Sequence, residues 1–303
     1  MKVIGIGDNV CDKYLHLNMM FPGGQAMNFA VYATMLGASA AYMGVFGKDE
    51  VAEHIISTLD ELGVEHTRCR QYEGENGYAM VDLEDGDRVF LGSNKGGIVN
   101  EHPLQVSKED FEYLKQFEII HTSNNGHFTE QLKDIYPLGI PISFDFSGKW
   151  TDKKLVDAVV PYATFAFLSC GDVTEAEAES ICKTIRKGNI RIVVATRGCK
   201  GSVLYDGRNF RVQEPHLVKP VDTLGAGDSF ALFFLLLNHF LNHISSNAAF
   251  LVHMASTVLK KECDEETYQR EVEIALDKAA EFSAKTCLVQ GAFGRGKVMH
   301  DRG

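Results

Sequence analysis

Apolar runs alternate with amphipathic segments along the first part of the chain. The β-branched run at residues 3–6 ends at Gly7 and Asp8, a pattern typical of a buried strand whose carboxyl end meets a ligand crevice. We expect a loop after this strand. Apolar residues then recur at helical spacing over residues 26–36, and Gly37 supplies the left-handed residue that ends a helix.

The next segment repeats the order of strand and helix and then breaks it. Residues 39–46 predict a strand, and Asp49 caps an amphipathic helix that Gly63 ends. Residues 78–83 and 88–91 then flank an Asp-Gly pair, the sequence signal of a β-hairpin. We expect this hairpin to leave the main sheet.

Strands and helices alternate again beyond residue 100. Thr174 and Glu177 form a capping box that opens a helix ending by Gly188. The last part of the chain, residues 228–285, reads as mostly helical. The strands expected in this half lie at residues 119–122, 142–146, 165–168 and 192–195.

This alternation predicts an α/β fold, a doubly wound and mostly parallel sheet with helices on both faces. Its ligands would sit beyond the carboxyl ends of the strands. We expect a single domain over residues 1–303, with a small β lid inserted at about residues 72–98. Residues 238–267 form an unusual helical insertion, for which the pattern favours packing or association.

Composition narrows the function classes. The chain has 30 Lys and Arg against 41 Asp and Glu, a formal charge of −11, which is the wrong sign for general phosphate neutralisation on nucleic acid. Seven cysteines without CxxC spacing argue against a disulfide framework or structural zinc site and favour a reducing cytoplasm. The most apolar segment, residues 230–237, is too short to span a membrane.

Two apparent phosphate loops fail on inspection. Gly5 and Gly7 follow a strand, but Val10 stands where a dinucleotide loop has its third glycine. Gly291 to Lys297 matches GxxxxGK, yet Val298 replaces the metal-binding hydroxyl residue and too few residues follow to form the required helix.

The segment VDTLGAGDSF, residues 221–230, is the most informative one. Its small residues Gly225, Ala226 and Gly227 allow successive backbone N–H groups to point outward at a helix start, which creates a site for an anion. Asp228 beside that site would serve as a general base for a hydroxyl near a transferring phosphoryl group. The alternative is a glycine-rich turn with an N-capping Asp.

Polar residues near the first strand suit a polyol. Gly23 and Gly24 permit close backbone approach, and Asn28 adds a side-chain amide at the start of a helix. Asp8 and Asp12 flank the same crevice and can accept hydrogen bonds from sugar hydroxyls. Either carboxylate could instead be only a turn residue.

A second glycine-bracketed loop follows the strand at residues 192–195. Thr196, with the backbone N–H groups between Gly198 and Gly201, could receive nucleotide phosphates. The alternative for this segment is a plain hairpin turn.

In this order, the motifs resemble the ribokinase family, also called the PfkB carbohydrate kinases, over nearly the whole chain. Residues 23–37 and 47–50 are similar to its N-terminal pattern, and residues 222–228 to its C-terminal one. The resemblance implies a ribokinase-like fold with a lid and transfer of the γ-phosphoryl group of MgATP to a sugar hydroxyl. It implies Asp228 as base, charge stabilisation by the amides before it, and Asp222 as a ligand of a monovalent cation such as K⁺.

Within the family, the chain most resembles the bacterial fructoselysine and fructosamine kinases, on residues 7–12, 74–97 and 144–150. The implied substrate is an amino acid carrying a 1-deoxyfructosyl group, phosphorylated at its 6-hydroxyl so that a partner deglycase can cleave it. Arg88 or Lys95 of the lid could meet the substrate carboxylate. A homodimer through the exposed strand edges of the lid is also expected.

The chain departs from the family at two places. Where members have Asn-x-x-Glu, residues 169–172 read Ser-Cys-Gly-Asp, so Asp172 would replace the usual magnesium-organising Glu through water. Ala231 and its neighbours stand where a Gly is common. Other sugar kinases, acting on fructose, a ketohexose phosphate or a nucleoside, and a non-catalytic sugar sensor remain alternatives.

Overall fold

The computed structural model describes residues 1–84, 87–244 and 264–300. Its strands are β1 (Lys2–Gly7), β2 (Val10–Tyr14), β3 (Met19–Gly23), β4 (Ser39–Phe46), β5 (Arg70–Gln71), β6 (Gly77–Glu84), β7 (Asp87–Ser93), β8 (Ile119–Ser123), β9 (Ile142–Asp145), β10 (Phe165–Ser169), β11 (Ile192–Thr196), β12 (Ser202–Tyr205), β13 (Phe210–Gln213) and β14 (Lys297–Val298). Its helices are α1 (Gln25–Met35), α2 (Glu50–Leu62), α3 (Lys108–Leu114), α4 (Leu132–Ile135), α5 (Lys153–Val159), α6 (Glu175–Ile185), α7 (Ala226–Ile244) and α8 (Glu265–Thr286).

Nine strands form the main sheet, in the order β13-β12-β11-β10-β9-β8-β1-β4-β5. Neighbours from β11 to β5 pair in parallel, while β12 and β13 are added antiparallel at one edge. One buried apolar cluster joins this sheet to α1, α2, α7 and α8, and a second joins it to α3, α4, α5 and α6. The predicted doubly wound, mostly parallel sheet with helices on two faces is confirmed.

The local signals for α2 and α6 act as expected. The Asp49 carboxylate accepts a hydrogen bond from the backbone N–H of Ala52 (2.9 Å), and Gly63 ends α2 at φ 72°. Thr174 and Glu177 form the reciprocal capping box of α6. These short-range contacts satisfy helix-terminal N–H groups that have no partner within the helix.

A second sheet, in the order β14-β3-β2-β6-β7, stands apart from the first. The predicted hairpin is present as β6 and β7, although its Asp-Gly turn at residues 85–86 lies outside the described residues. The prediction of a loop after β1 is wrong, because β2 and β3 form an antiparallel pair there. β2 also pairs in parallel with β6, more than sixty residues away in sequence, so its pairing is set by tertiary contacts that a local pattern does not reveal.

The C-terminal half fits the helical expectation where it is described. α7 begins at Ala226, two residues before the expected start at Asp228, and α8 follows from Glu265. Most of the insertion expected at residues 238–267 lies outside the described residues. Lys297 begins strand β14, where a phosphate loop would require a helix. Across the described part of the chain, no helix is long and apolar enough to cross a membrane.

Candidate active site

The crevice at the carboxyl end of β1 is organised by Asp8. Its carboxylate accepts hydrogen bonds from the backbone N–H groups of Gln25 (2.8 Å) and Ala26 (3.2 Å) and from the Ser123 hydroxyl (3.2 Å). Asp8 therefore caps α1 from a distance in sequence, a role that the N-cap residue Gly24 cannot perform because it has no side chain. Burial nevertheless raises the pKa of Asp8.

The two glycines before α1 permit this close packing. Gly24 has φ 114°, and a Cβ there would lie 2.7 Å from the carbonyl oxygen of Asp8. A Cβ on Gly23 would lie 2.8 Å from a carboxylate oxygen of Asp12, which is buried on β2. The structure thus brings Asp8, Asp12 and both glycines to one place at the junction of the two sheets.

Asp228 joins this group through α1. The side-chain amide of Asn28 donates to the Asp228 carboxylate at 2.7 Å, and both side chains are buried. Burial raises the pKa of Asp228 to about 6, while the hydrogen bond from Asn28 opposes that rise. A carboxyl with this pKa is ionised at neutral pH yet basic enough to accept a proton from a reacting hydroxyl.

The first turn of α7 places backbone amides beside Asp228. The first hydrogen bond between residues four apart in this helix runs from the Ser229 N–H to the Gly225 carbonyl oxygen (2.9 Å), so the N–H groups of residues 226–228 precede the regular ladder. Gly225 has φ 73°, and a Cβ there would meet the Tyr32 hydroxyl oxygen at 2.3 Å. This arrangement is suited to an anion at a helix N-terminus.

A cavity of about 430 Å³ opens at this turn. Its lining includes Thr196, Gly198 and Gly201 together with Ala226 and Gly227 of α7. Apolar residues form much of the remaining wall: Leu217, Val218, Pro220, Phe230, Ala280 and Ala284. The cavity therefore combines the mostly apolar wall of a ligand site with a few polar and backbone groups.

The loop at residues 196–201 is both a turn between two strands and part of the cavity lining. It connects the antiparallel strands β11 and β12, as a hairpin turn does, and it also lines the cavity. The Thr196 hydroxyl donates to the Leu168 carbonyl oxygen (3.2 Å). Asp172 is exposed and follows Gly171, which is part of the cavity wall.

Asp222 links the second sheet, to which Tyr14 belongs, to the segment that precedes α7. Its carboxylate accepts hydrogen bonds from the Tyr14 hydroxyl (2.5 Å), the Gly291 N–H (3.0 Å) and the Leu224 N–H (3.0 Å). The bonds from Tyr14 and Gly291 fall on one carboxylate oxygen of Asp222, and the bond from Leu224 falls on the other.

The donor set also bears on magnesium. Within the described ranges, no three His, Cys, Asp or Glu side chains are grouped so as to hold a metal ion. Mg²⁺ is usually bound by one or two carboxylates, water and substrate phosphates rather than by a cage of protein ligands. The exposed Asp172 carboxylate beside the cavity wall is a donor of the type that Mg²⁺ accepts, directly or through water.

Two residues that the sequence reasoning missed complete the crevice. Asp145 ends β9 and is buried, and burial together with the nearby Asp228 carboxylate raises its pKa to about 7. Gln25 opens α1, and its side-chain amide donates to the Ser147 hydroxyl (3.3 Å) and accepts from the Asn125 side-chain amide (3.0 Å). The sequence does carry a signal for Asp145, since it is an Asp at the end of a buried strand.

A third missed feature is the buried network at Asn76. Its amide donates to the Asn9 side-chain oxygen (2.8 Å), and its own oxygen accepts from the Gly47 N–H (3.0 Å). Asn9 in turn donates to the Tyr42 hydroxyl (2.8 Å) in the main sheet. The network holds together the chain segments that pass between the two sheets.

Arg88 is expected to contact the substrate carboxylate. Its side chain lies outside the described residues.

Comparison with known proteins identifies the family of the chain. The sequence model described as "pfkB family carbohydrate kinase" matches residues 17–236. The chain is 38% identical to fructosamine kinase FrlD of Bacillus subtilis (strain 168) over 299 residues, covering 98% of this chain and 94% of that one. It is 35% identical to fructoselysine 6-kinase of Escherichia coli (strain K12), covering 78% of this chain and 88% of that one.

The fold is similar to that of a solved structure titled as fructokinase with bound ATP from Xylella fastidiosa. The TM-score is 0.72 at 18% identity, covering 97% of this chain and 94% of the other. The family match covers most of the chain, and the two relatives are each more than 30% identical to it over more than two thirds of its length. On this combined evidence, the chain belongs to the pfkB family of carbohydrate kinases.

Proposed function

We propose that this enzyme transfers the γ-phosphoryl group of ATP to the 6-hydroxyl of a fructosamine such as fructoselysine. The observation that carries the kinase chemistry is the buried Asp228 beside the first turn of α7, where the cavity ends. The acceptor class is supported by 38% identity to a fructosamine kinase over 98% of the chain.

ATP would occupy the 430 Å³ cavity with its base against the apolar wall. Thr196, Gly198 and Gly201 would face the phosphates, and the amides of Gly225, Ala226 and Gly227 would surround the transferring group. Backbone N–H groups held in place before the reaction stabilise charge that develops in the transition state, and phosphoryl transfer depends largely on such stabilisation and on positioning.

Asp228 would accept the proton of the attacking hydroxyl. Its bond to Asn28 (2.7 Å) fixes one carboxylate oxygen and leaves acceptor capacity for the acceptor alcohol. Burial raises its pKa to about 6, which brings it closer to the operating pH than an exposed Asp would be.

The sugar would lie between the two sheets. Asp12, Gly23, Gly24 and Asn28 surround the junction, and their side-chain and backbone groups would bind hydroxyls. Asp8 would add to this wall while its carboxylate caps α1. The substrate also carries a carboxylate, which Arg88 on the lid would meet.

Two cations belong to the proposal. Mg²⁺, when bound, neutralises charge on the nucleotide phosphates, and Asp172 beside the cavity would help to hold it through water. K⁺ would be held by Asp222, a buried carboxylate just before the GAGD turn.

The proposal also covers the domain organisation, the partners and the location of the enzyme. We assign the chain to one catalytic domain, in which the lid at about residues 72–98 closes over the sugar and the insertion at about residues 238–267 is an addition. The product would pass to a deglycase partner, and the exposed edge strand β7 offers a surface for a homodimer through the lid. The cytoplasm supplies ATP and a reducing environment for the seven cysteines.

A panel of phosphate acceptors tests the proposal. Fructoselysine, another α- or ε-glycated amino acid, fructose, a ketohexose phosphate and a nucleoside would each be supplied with MgATP, with and without K⁺, and ADP release measured. We expect the highest kcat/KM with a fructosamine. Highest turnover with another acceptor would assign a different sugar kinase activity, and sugar binding without any ADP would indicate a sensor.

A further inference from the structure

The feature that carries a further inference is the hydroxyl of Ser202, the first residue of β12. The residue is 1% exposed, and its side-chain oxygen has no hydrogen-bond partner among the described residues. A buried polar group without a partner costs free energy, because it has lost its bonds to water and gained none in return. Buried polar groups of native proteins nearly always have a partner, so this hydroxyl is an exception that needs a cause.

The alternation of side chains along β12 shows which way Ser202 points. Residues two apart on a strand lie on the same face of the sheet, so Ser202 shares its face with Leu204 and not with Val203. Leu204 packs in the apolar cluster that contains residues of α7 and α8, whereas Val203 packs in the cluster that contains residues of α6. Ser202 also lines the cavity of about 430 Å³, together with residues of α7 and α8. Its side chain therefore lies on the cavity side of the sheet.

Ser202 belongs to a row of polar residues that crosses neighbouring strands. It pairs directly with Thr196 on β11 and with Gln213 on β13. All three residues line the cavity. Residues directly opposite on antiparallel strands have Cβ atoms about 4.5–5.5 Å apart on the same face. Thr196, Ser202 and Gln213 therefore present neighbouring polar groups to one cavity.

The two neighbours of Ser202 in this row have protein partners. The Thr196 hydroxyl donates to the Leu168 carbonyl oxygen (3.2 Å), and the side-chain nitrogen of Gln213 donates to the Glu214 carbonyl oxygen (2.9 Å). Ser202 differs from both, because its hydroxyl bonds to nothing in the described part of the chain. A serine hydroxyl has one proton to donate and can also accept. Both capacities are available to a ligand in the cavity.

We propose that the Ser202 hydroxyl donates a hydrogen bond to an oxygen of the bound nucleotide, on its ribose or its phosphates, and so contributes to nucleotide affinity. The base would face the apolar wall, whereas Ser202 pairs with Thr196, which the proposed function places at the phosphates. Rotation about the Cα–Cβ bond carries a serine hydroxyl between three staggered positions without moving the backbone. The inference deepens the proposed function and rests on it for the identity of the ligand.

Removal of this hydroxyl should have opposite effects on affinity and on stability. The free protein has no protein hydrogen bond at Ser202 to break, so a bond to the nucleotide is gained in full, and a charged acceptor would strengthen it. Without nucleotide, the loss of the hydroxyl removes a buried polar group and no hydrogen bond. A hydroxyl that served only the fold would instead lower stability when it is removed.

The test measures MgADP binding and the ligand-free thermal midpoint in Ser202→Ala and wild type. The calorimetric Kd for MgADP should rise about tenfold in the variant. Its ligand-free midpoint should stay within about 1 °C of wild type or rise by up to about 4 °C. Ser202→Cys keeps a weaker donor and should give an intermediate Kd. In turnover, KM for ATP should rise about tenfold in Ser202→Ala, while kcat and KM for the sugar stay within about twofold.

The matched control is Ser143→Ala. Ser143 is also a buried serine, but its hydroxyl hydrogen-bonds Nδ1 of His121 (2.9 Å) and it does not line the cavity. Its removal should lower the ligand-free midpoint by about 2–6 °C. The Kd for MgADP should stay within about twofold of wild type. The same substitution at two buried serines is therefore expected to change affinity at one and stability at the other.

An unchanged Kd for MgADP in Ser202→Ala would overturn the inference. A fall in its ligand-free midpoint as large as that of Ser143→Ala would also overturn it, because the hydroxyl would then have a partner within the fold. Adenosine identifies the contacted oxygen: an equal loss of affinity for adenosine and MgADP assigns it to the ribose, and a loss for MgADP alone assigns it to a phosphate.

The same measurements separate this inference from the proposed function. If wild type does not bind MgADP, both the inference and the ATP-dependent reaction fail. If wild type binds MgADP and Ser202→Ala binds it equally well, only the inference fails. If the Kd depends on Ser202 but no fructosamine is phosphorylated, the proposed acceptor fails and the nucleotide contact stands.

Discussion

At the scale of single residues, the site depends on positions where only a small side chain fits. Gly225 combines φ 73° with a neighbour, the Tyr32 hydroxyl oxygen, 2.3 Å from where a Cβ would lie. Gly227, two residues later in the same turn, has nothing within 4 Å of that point. The two glycines of the GAGD segment therefore serve different needs, a strained turn and an open approach for a ligand.

Substitution by alanine should separate these needs. Gly225→Ala should lower the free energy of unfolding by about 1–3 kcal/mol, because it adds backbone strain and a steric clash. Gly227→Ala should change it by less than about 1 kcal/mol or stabilise the helix, since alanine favours the helical state. Urea unfolding monitored by fluorescence would measure both, and equal losses would show that the turn geometry is not as described.

At the scale of elements, hydrogen bonds of a few side-chain amides connect the second sheet, β14-β3-β2-β6-β7, to the main sheet. Asn76 uses its side-chain nitrogen, its side-chain oxygen and its backbone groups: the N–H donates to Asp49 (3.0 Å) and the carbonyl accepts from Asn94 (2.8 Å). Asp49 also caps α2. The start of α2 and the entry to β6 are thereby held as one unit.

Asn76→Ala should loosen this junction. Since buried partners would lose their hydrogen bonds, we expect a stability loss of about 1–3 kcal/mol and a KM for the sugar about tenfold higher. The KM for ATP should change by less than about twofold, because the cavity lies on other elements. Asn209→Ala, between β12 and β13, is the matched control. Equal changes in both KM values would contradict a specific role in placing the lid.

The elements differ in how far local sequence determines them. β1, β4, α2 and α6 follow from apolar runs, caps and terminal glycines, since their signals lie within a few residues. β2 and β14 do not. β2 pairs with β6 and β14 pairs with β3, which are distant in sequence, and both β2 and β14 are short strands of mixed polar and apolar residues. The same limit applies in the site: the GAGD turn is visible in sequence, whereas the hydrogen bond from Asn28 to Asp228 arises only from the packing of α1 against α7.

At the scale of the whole molecule, an acidic protein must bind an anionic nucleotide. The formal charge is −11, so general attraction does not favour ATP. In the proposed binding mode, the nucleotide phosphates meet two local features of the cavity, the helix N-terminus of α7 and the glycine-bracketed loop at residues 196–201. Binding there would connect α7, α8 and β11 and should stabilise the folded state as a unit.

Nucleotide should therefore raise the thermal midpoint. At a free concentration of MgADP a hundredfold above Kd, linkage predicts about 2.7 kcal/mol of added stability, which corresponds to a rise of several degrees. Differential scanning fluorimetry over a concentration series would measure it. Ala284→Trp should abolish the shift, because the larger side chain would fill the space beside the apolar wall of the cavity. Each protein is compared with its own thermal midpoint in the absence of ligand. A shift that persists in that variant would place the nucleotide elsewhere.

The central claim is that Asp228 removes the proton of the acceptor hydroxyl beside the first turn of α7. The most direct measurement is kcat for Asp228→Asn, together with calorimetric Kd values for fructoselysine. The exposed Asp134→Asn serves as the matched control. Because asparagine keeps the size of the side chain but cannot act as a base, we predict a kcat lower by about 10² or more with a sugar Kd within about threefold of wild type. Turnover within about twofold of wild type in Asp228→Asn would contradict the claim.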